Sequence, residues 1–326
     1  MTIKSPETHN ILEVKNLTVN FHTDDGVVEA VRDVSLTIPK NKTVALLGES
    51  GCGKSVTGLA LLQLIDSPGS IDEGQVLFRK NPGDEPIDLT KLDPEGDEIR
   101  AIRGNEISMI FQEPRPSLTP VYTIGQQITE AIMLHQKLSK DEARKKAIDL
   151  LGQVGIPAPE RRIDDYPHQL SGGMCQRAMI AMGLSCDPSL LIADEPTTAL
   201  DVTIQAAVLN LLKRLQHQFE TSILIITHDM GVVAEVADEV IVMYLGKVVE
   251  RAPVDEIFAN PRHPYTQGLF ASIPRPSSDP NQPLHRIPGA VPDQKHMPEG
   301  CPFRGRCPEE MHVCKFAPSL LPVEEN

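Results

Sequence analysis

An eight-residue loop near the start of the chain has the residue types that hold phosphate groups: Gly48-Glu49-Ser50-Gly51-Cys52-Gly53-Lys54-Ser55. Its glycines let consecutive backbone N–H groups turn inward around an anion. The short apolar run 43–47 precedes it and a helical pattern begins near Lys54, so a helix N-terminus adds positive potential. The alternative interpretation, a glycine turn with an incidental Lys-Ser pair, would not explain the strand before the loop and the helix after it. We expect Lys54 to reach the β- and γ-phosphates of a nucleotide and Ser55 to ligate Mg²⁺, with further contacts from Gly48, Ser50, Gly51, Gly53 and Val56.

Two adjacent acids, Asp194 and Glu195, end the apolar run 190–193. Successive residues of a strand point to opposite faces, so the pair can serve two roles at the end of one strand. Asp194 is predicted to lie in the Mg²⁺ shell and Glu195 to polarise an attacking water. Many strands end in acids without a catalytic role, so this pattern alone is a weak signal. It indicates a metal and water site here because it follows a phosphate loop.

Two further polar residues follow apolar runs. His228 comes directly after the run 222–227, and Gln112 lies where a strand-rich pattern gives way to a helical one. A lone His after a strand is more often a packing or hydrogen-bonding residue than a catalytic one, and Gln112 alone is a weaker signal. Their positions make both of them candidates for the same site.

The elements that must position these residues follow a βαβ rhythm. The runs 11–21 and 27–38 read as strands joined by a turn at 24–26, and 43–47 reads as a strand buried on both faces. From residue 190 onward, strands and helices alternate, which indicates a parallel sheet. Between 114 and 168 the pattern is helical, and Thr123 with Gln126 and Ser139 with Glu142 fit capping boxes.

From about residue 260 the chain is rich in proline, which excludes long regular elements there. Its formal net charge of −14, from 31 basic and 45 acidic residues, argues against a nucleic-acid partner. The longest apolar runs are far shorter than the roughly 20 residues that cross a bilayer. The first residues lack the apolar core of a signal peptide, so we expect a cytoplasmic protein.

The segment Leu170-Ser171-Gly172-Gly173-Met174 resembles the L-S-G-G-Q signature of ABC ATPases, with Met in the fifth place and Gln176 two places later. It stands in order with the phosphate loop, Gln112, Asp194-Glu195, Ala199-Leu200-Asp201 and His228. The resemblance implies an α/β fold: a P-loop NTPase core with an N-terminal antiparallel β subdomain, an inserted helical subdomain and an irregular C-terminal extension. The nucleotide-binding domain would span 1–259, with the insertion at 114–168, and the extension would span 260–326.

In ABC ATPases two cassettes pair head to tail, and each ATP lies between one phosphate loop and the partner's signature. The resemblance therefore implies an ATP hydrolase in which Ser171, Gly172 and Gly173 serve a partner's nucleotide. Phe21 would stack on adenine, and Asp201 would form a contact between cassettes. Gln112 would join Ser55 and Asp194 at the Mg²⁺, and His228 would sense the γ-phosphate beside Glu195.

Three further segments, 111–120, 263–269 and 287–307, resemble ATPases of dipeptide and oligopeptide importers. Nickel and glutathione importers share much of this pattern. The resemblance implies import through a multi-subunit transporter, with a second ATPase subunit (a paralogue or an identical copy), two transmembrane permease subunits and, indirectly, an extracytoplasmic substrate-binding protein. The chain would lie at the cytoplasmic face of the cell membrane. The alternative is a soluble ABC ATPase without a membrane partner, but such proteins usually carry two cassettes or a long coiled coil.

Three cysteines, Cys301, Cys307 and Cys314, fall close together in the extension. Such spacing can bring three thiolates to one metal, and sulfur donors suit zinc or iron–sulfur clusters. Relatives of the resembled family carry a four-cysteine tail that binds a [4Fe–4S] cluster. Here the fourth ligand is unidentified, because nothing in the spacing selects His296 or His312. The alternative is three reduced thiols in a loop-rich tail.

Overall fold

The computed structural model describes residues 9–198, 200–273, 286–295, 297–316 and 318–322. The strands are β1 Asn10–Thr23, β2 Gly26–Pro39, β3 Thr43–Leu47, β4 Gly69–Phe78, β5 Ile87–Asp88, β6 Ile107–Ile110, β7 Leu190–Asp194, β8 Ser222–Thr227, β9 Glu239–Tyr244 and β10 Lys247–Pro253. The helices are α1 Lys54–Leu61, α2 Asp97–Ile102, α3 Pro114–Ser117, α4 Ile124–Gln136, α5 Lys140–Gln153, α6 Pro159–Arg162, α7 Gly172–Gly183, α8 Val202–Phe219, α9 Met230–Val236, α10 Val254–Ala259 and α11 Pro264–Ala271.

The strands form two sheets. One is antiparallel and has the order β2-β1-β4-β5, with β1 and β2 joined by the tight turn that the sequence predicts. The other has the order β10-β9-β3-β8-β7-β6, and its strands are parallel except for the β9–β10 hairpin. The predicted parallel sheet and the predicted N-terminal antiparallel portion are therefore both present.

Strand β3 lies in the middle of the larger sheet and is buried along its whole length. Because successive side chains point to opposite faces, Val44 and Leu46 enter a core shared with the antiparallel sheet. Ala45 and Leu47 enter a second core, which is shared with the helices α4, α5 and α7. Burial on both faces explains why the run 43–47 carries so little polar character.

Between β6 and β7 the chain is mainly helical. Thr123 caps α4 and Ser139 caps α5, and in both cases the Gln or Glu three residues later completes a capping box. The two predicted capping boxes are confirmed. Helices α4 and α5 bury Ile128 and Leu151 in the second core, so apolar contact holds the insertion against α7.

In the described part of the C-terminal extension, helix α11 is a regular element that the prolines did not predict. Pro264 occupies its first turn, where a missing N–H costs nothing, and the ring of His263 caps it by accepting a hydrogen bond from the Tyr265 N–H at 3.1 Å. The buried Glu250 carboxylate accepts from the backbone N–H groups of Arg262 and His263 at 2.7 and 3.0 Å. The extension is thus fixed to β10 where it begins. None of the described helices is both long enough and apolar enough to cross a membrane.

Candidate nucleotide site

Four parallel strands end at the same edge of the larger sheet. Ile110 pairs with Ala193, Asp194 with Ile226, and Leu47 with Thr227. The residues that follow these strands must therefore emerge side by side. This register brings Gln112, Glu195 and His228 to the phosphate loop, although they are far apart in the sequence.

Two glycines of the phosphate loop are required by the close approach of backbone. A Cβ at Gly48 would lie 2.3 Å from the carbonyl oxygen of Met243, and a Cβ at Gly53 would lie 2.2 Å from that of Ala30. Gly53 also has a φ of +99°, which disfavours other residue types. The loop is pressed between β9 and β2, and its shape is set by these neighbours as well as by its own sequence.

Lys54 is the buried cation of the site, with a relative exposure of 5%. Its Nζ donates to the carbonyl oxygens of Gly48 and Glu49 at 2.8 and 3.0 Å. Two neutral carbonyl groups do not neutralise its charge, so the ammonium group stays an attractive partner for an anion.

Asp194 is buried at the end of β7, and its Oδ1 has no hydrogen-bond partner among the described residues. Burial raises the pKa of its carboxyl, the hydrogen bond from the Ser55 hydroxyl opposes this, and the charge of Glu195 raises it further. A buried carboxylate with an unpaired oxygen beside a hydroxyl group is an oxygen donor set of the kind that Mg²⁺ prefers. The residues present therefore fit a magnesium ion.

Three side chains donate hydrogen bonds to, or share one with, the Glu195 carboxylate. Gln112 Nε2 and Thr198 Oγ1 donate to Oε2 at 2.9 and 2.8 Å, and His228 Nδ1 lies 2.8 Å from Oε1. The backbone of Glu195 has a φ of +44°, in the left-handed region, and its N–H is held by the Ile226 carbonyl at 2.8 Å. Burial raises the pKa of its carboxyl, but the bonds to His228 and Thr198 outweigh burial, and the pKa lies below the ordinary value.

These groups face a cleft of about 460 Å³. The two neighbouring acids differ in electrostatic environment, because the pKa of Asp194 is raised and that of Glu195 is lowered. The arrangement can hold a phosphate chain over the loop and place an ionised carboxylate near its end. Residues that line the cleft include Gly48, Ser50, Gln112, Glu195, Thr198 and His228.

The signature segment lies at the start of helix α7, outside this cleft. Ser171 and Gly172 are exposed, and the Ser171 hydroxyl caps the helix by accepting from the Met174 N–H at 3.3 Å. A Cβ at Gly173 would lie 3.3 Å from Ile204, so this helix start is next to that of α8, which Asp201 caps by accepting from the Ile204 N–H at 3.0 Å. Within the described residues, no hydrogen bond joins Ser171, Gly172, Gly173 or Asp201 to the phosphate loop. Ala199 lies outside the described residues.

Phe21 lies in β1, opposite Val28 and Gly69, and is partly buried against the core shared by the two sheets. It does not line the cleft. Thr198 is a site residue that the sequence analysis missed. Its spacing, three residues beyond Glu195, was the available signal.

Comparison with known proteins gives two matches along the chain. Residues 31–198 match the family model of the ABC transporter, and residues 249–314 match that of the C-terminal region of oligopeptide/dipeptide transporters. The first match covers just over half of the chain. This chain belongs to the ABC transporter family. The predicted fold class and family are confirmed, and the chain is an ATPase subunit of an ABC transporter.

Relatives of this ABC ATPase match it over nearly its whole length. The oligopeptide transport ATP-binding protein AppD of Bacillus subtilis is 52% identical over 313 residues, which cover 95% of this chain and 93% of AppD. A putative peptide import ATP-binding protein of Brucella ovis is 49% identical over 323 residues, covering 97% and 95%. The dimeric ATP-binding cassette MJ0796, solved in a post-hydrolysis state bound to ADP and Pi, aligns with a TM-score of 0.65 and 28% identity. That alignment covers 74% of this chain and 98% of the cassette.

The three cysteines of the extension are free thiols that lie near one another. The Cys301 N–H donates to the Cys314 carbonyl at 2.9 Å, and burial, together with the other two thiols, raises the pKa of Cys307. In the described part of the chain, no group of three or more Cys, His, Asp or Glu side chains is arranged to hold a metal ion. The structure therefore does not support the predicted iron–sulfur cluster, and His312 adds no ligand. His296 lies outside the described residues.

Proposed function

We propose that this ATPase subunit powers the import of dipeptides or oligopeptides through a multi-subunit ABC transporter. The hydrolytic part of the proposal rests on one observation, the Glu195 carboxylate held by Gln112, Thr198 and His228 beside the phosphate loop. The transport part is supported by the match of the extension to oligopeptide/dipeptide transporters. It is also supported by relatives that are named as peptide import or oligopeptide transport proteins.

In this proposal the phosphate loop, from Gly48 to Val56, cradles the phosphates of ATP. Lys54 turns from its loop carbonyls to the β- and γ-phosphates and neutralises charge that develops during hydrolysis. Ser55 and Asp194 would hold Mg²⁺ with Gln112 nearby, and the ion, when bound, screens and orients the phosphate oxygens. Glu195, kept ionised by its lowered pKa, orients the attacking water and acts as a general base toward it.

The remaining predicted residues act around this centre. His228 orients the Glu195 carboxylate and senses the γ-phosphate. Gln112 donates to Glu195 and connects the site to the helical insertion that follows it. Phe21 stacks on the adenine ring, Ser171, Gly172 and Gly173 bind the nucleotide of a second cassette, and Asp201 contacts that cassette.

The proposal places the chain at the cytoplasmic face of the cell membrane. Its partners are a second ATPase subunit, for which the family favours a paralogue over an identical copy, two permease subunits and, indirectly, a substrate-binding protein outside the membrane. Co-sedimentation with membranes only when the permease subunits are present would support this placement. A protein that stays in the soluble fraction in their presence would contradict it.

The test is uptake of a labelled dipeptide by cells whose only copy of the gene carries Glu195→Gln. We expect uptake to stop, because the neutral amide cannot take part in activating water. The matched control is Glu235→Gln, the same change at an exposed position of α9, which should leave uptake unchanged. Unchanged uptake with Glu195→Gln, in cells without another peptide transporter, would refute the role of Glu195. Dipeptide uptake that does not depend on the unmutated gene would move the substrate to nickel, glutathione or another small molecule.

An iron–sulfur cluster on Cys301, Cys307 and Cys314 stands apart from this proposal as a hypothesis from resemblance. Protein purified without oxygen would contain iron and show broad visible absorption if the cluster were present. Absence of both would leave three reduced thiols.

A further inference from the structure

The C-terminal extension contacts the phosphate loop directly. The Tyr265 hydroxyl accepts a hydrogen bond from the Glu49 N–H at 2.9 Å. Arg306 Nη1 lies 3.1 Å from the Glu49 carboxylate, and Gln294 Nε2 donates to the Gly51 carbonyl at 2.6 Å. Leu269, from the same extension, lines the candidate nucleotide cleft. Three polar contacts therefore join a segment after residue 260 to a loop that ends at residue 55, and an apolar side chain of that segment lines the cleft beside the loop.

The two main contacts are made by buried side chains in fixed positions. Tyr265 has no exposed surface, and Arg306 is 8% exposed. Tyr244, Tyr265 and Phe303 pack with ring centroids 4.7 to 5.5 Å apart, so the ring of Tyr265 cannot move alone. Arg306 also donates to the Pro288 carbonyl at 3.0 Å and to the Tyr244 hydroxyl at 3.2 Å. An arginine with three hydrogen-bond partners, Glu49, Pro288 and Tyr244, is oriented before any nucleotide arrives.

The loop segment that the extension holds is the one that also holds Lys54. The Glu49 N–H is bound by Tyr265, and the Glu49 carbonyl is bound by Lys54 Nζ at 3.0 Å. The peptide groups on both sides of Glu49 are thus fixed by partners from opposite ends of the chain. A shift of Glu49 would change the conformation of the first residues of the phosphate loop and the position of the Lys54 ammonium group.

We infer that the C-terminal extension is a clamp that preorganises the phosphate loop, with Tyr265 and Arg306 as positioning residues for ATP binding. This inference rests on the proposed use of the loop for ATP. A loop held in one conformation loses less conformational entropy when the nucleotide binds, so loosening it weakens binding without removing any group that touches phosphate. The clamp should therefore act on nucleotide affinity more than on the hydrolytic step.

The experiment measures the Kd for a fluorescent ATP analogue and, separately, KM and kcat for ATP hydrolysis by the full chain. The variants are Tyr265→Phe, which removes the acceptor of the Glu49 N–H, and Arg306→Met, which removes the ion pair. We expect Kd and KM to rise about fivefold to tenfold in each, because the half-buried Glu49 N–H or carboxylate loses its partner. We expect kcat to stay within about twofold, since Glu195 and its donors are untouched.

A matched control separates positioning from general destabilisation. Phe270 lies in α11 and packs edge-on against Phe258, with ring centroids 4.7 Å apart. Phe270→Leu should lower the midpoint of thermal unfolding while it leaves Kd near the wild-type value. An unchanged Kd in Tyr265→Phe, or a Kd in Phe270→Leu raised as much at equal loss of stability, would overturn the clamp.

Rescue gives a second readout. Arg306→Lys keeps a positive charge near Glu49 and should recover part of the affinity that Arg306→Met loses. Because nucleotide binding is measured without turnover, the clamp and the proposed function fail differently. A wild-type chain that binds ATP but does not hydrolyse it would refute the proposed function alone, and normal hydrolysis with unchanged Kd in both clamp variants would refute the clamp alone.

Discussion

Thr198 shows what a single hydroxyl group contributes at the residue scale. It donates to the same carboxylate oxygen of Glu195 as Gln112 does, and its hydrogen bond helps to hold the pKa of that carboxyl below its ordinary value. Glu195 is also held in a left-handed backbone conformation that few residues other than glycine adopt. Its direction is therefore set by neighbours rather than by its own preference.

We predict that Thr198→Val lowers kcat for ATP hydrolysis by about tenfold and moves the acidic limb of the pH–rate profile to higher pH. A general base works only when it is deprotonated, and loss of a hydrogen bond to the charged form raises its pKa. The rate should therefore begin to fall at a higher pH than in the wild type as the solution is acidified. Steady-state kinetics across the pH range measure both effects.

Thr129→Val is a matched control for Thr198→Val, because the Thr129 hydroxyl donates only within α4, to the carbonyls of Gly125 and Gln126. Its pH–rate profile should follow that of the wild type. An acidic limb that stays in place in Thr198→Val would show that this hydroxyl does not tune Glu195.

At the scale of elements, α11 depends on a histidine that must be neutral. His263 caps this helix through a ring nitrogen that accepts from the Tyr265 N–H, so that nitrogen cannot carry a proton. Burial lowers the pKa of His263 below its ordinary 6.5, although the Glu250 carboxylate opposes the shift. The unfolded chain therefore takes up a proton at a higher pH than the folded chain does.

From this difference we predict that the free energy of unfolding falls as the pH drops below about 6.5 and levels off below the folded pKa. His263→Asn should reduce this loss, because Asn is an equally good helix cap and does not titrate. Thermal unfolding at about pH 7.5 and about pH 5.5 measures this pH-dependent loss of stability in each protein. The matched control is His217→Asn, at an exposed position of α8, which should keep the wild-type pH dependence. Equal losses in all three proteins would rule out His263 as the cause.

Elements and sites differ in how far the sequence predicts them. The bounds of β3 and β8 match the predicted runs because both strands are buried on both faces, and the two capping boxes follow from local spacing. The phosphate loop and the acids after β7 were found because motif and flanking strand occur together. The contact between Tyr265 and Glu49 could not be found in this way, since 216 residues separate them and neither side chain is unusual by itself. Helix α11 was missed because proline reads as a breaker unless it stands in the first turn.

For the whole molecule, the separation of the signature segment from the phosphate loop matters most. Both are present, but within the described residues they do not meet. The related cassette MJ0796 was solved as a dimer. A second chain that brings its own signature to this loop would complete the site, and the exposed start of α7 is where that chain would be contacted.

We predict that the Glu195→Gln protein forms a dimer with ATP and Mg²⁺, alone or with the second ATPase subunit of its transporter, because nucleotide is bound and not consumed. Adding Gly172→Asp should prevent the dimer, since the new carboxylate repels the partner's phosphates. A Cβ at Gly172 meets no atom within 4 Å, so the change does not disturb the chain's own fold. Analytical ultracentrifugation measures the mass.

Gly152→Asp is the matched control for the dimer, because Gly152 is an exposed helical glycine of α5 and a Cβ there would meet only Pro159 within 4 Å. This variant should still dimerise. A dimer that persists with Gly172→Asp would show that the signature does not meet the partner's nucleotide.

The contact between Glu49 and Arg306 also orders events during synthesis of the protein. The two residues are separated by 257 positions, so the ribosome makes the phosphate loop long before it makes the arginine that holds it. At ordinary elongation rates the delay is on the order of tens of seconds. Throughout that interval the emerging loop lacks this contact. If the extension acts as the clamp that we infer, the chain reaches its full affinity for ATP only after Arg306 has been made and has folded against Glu49.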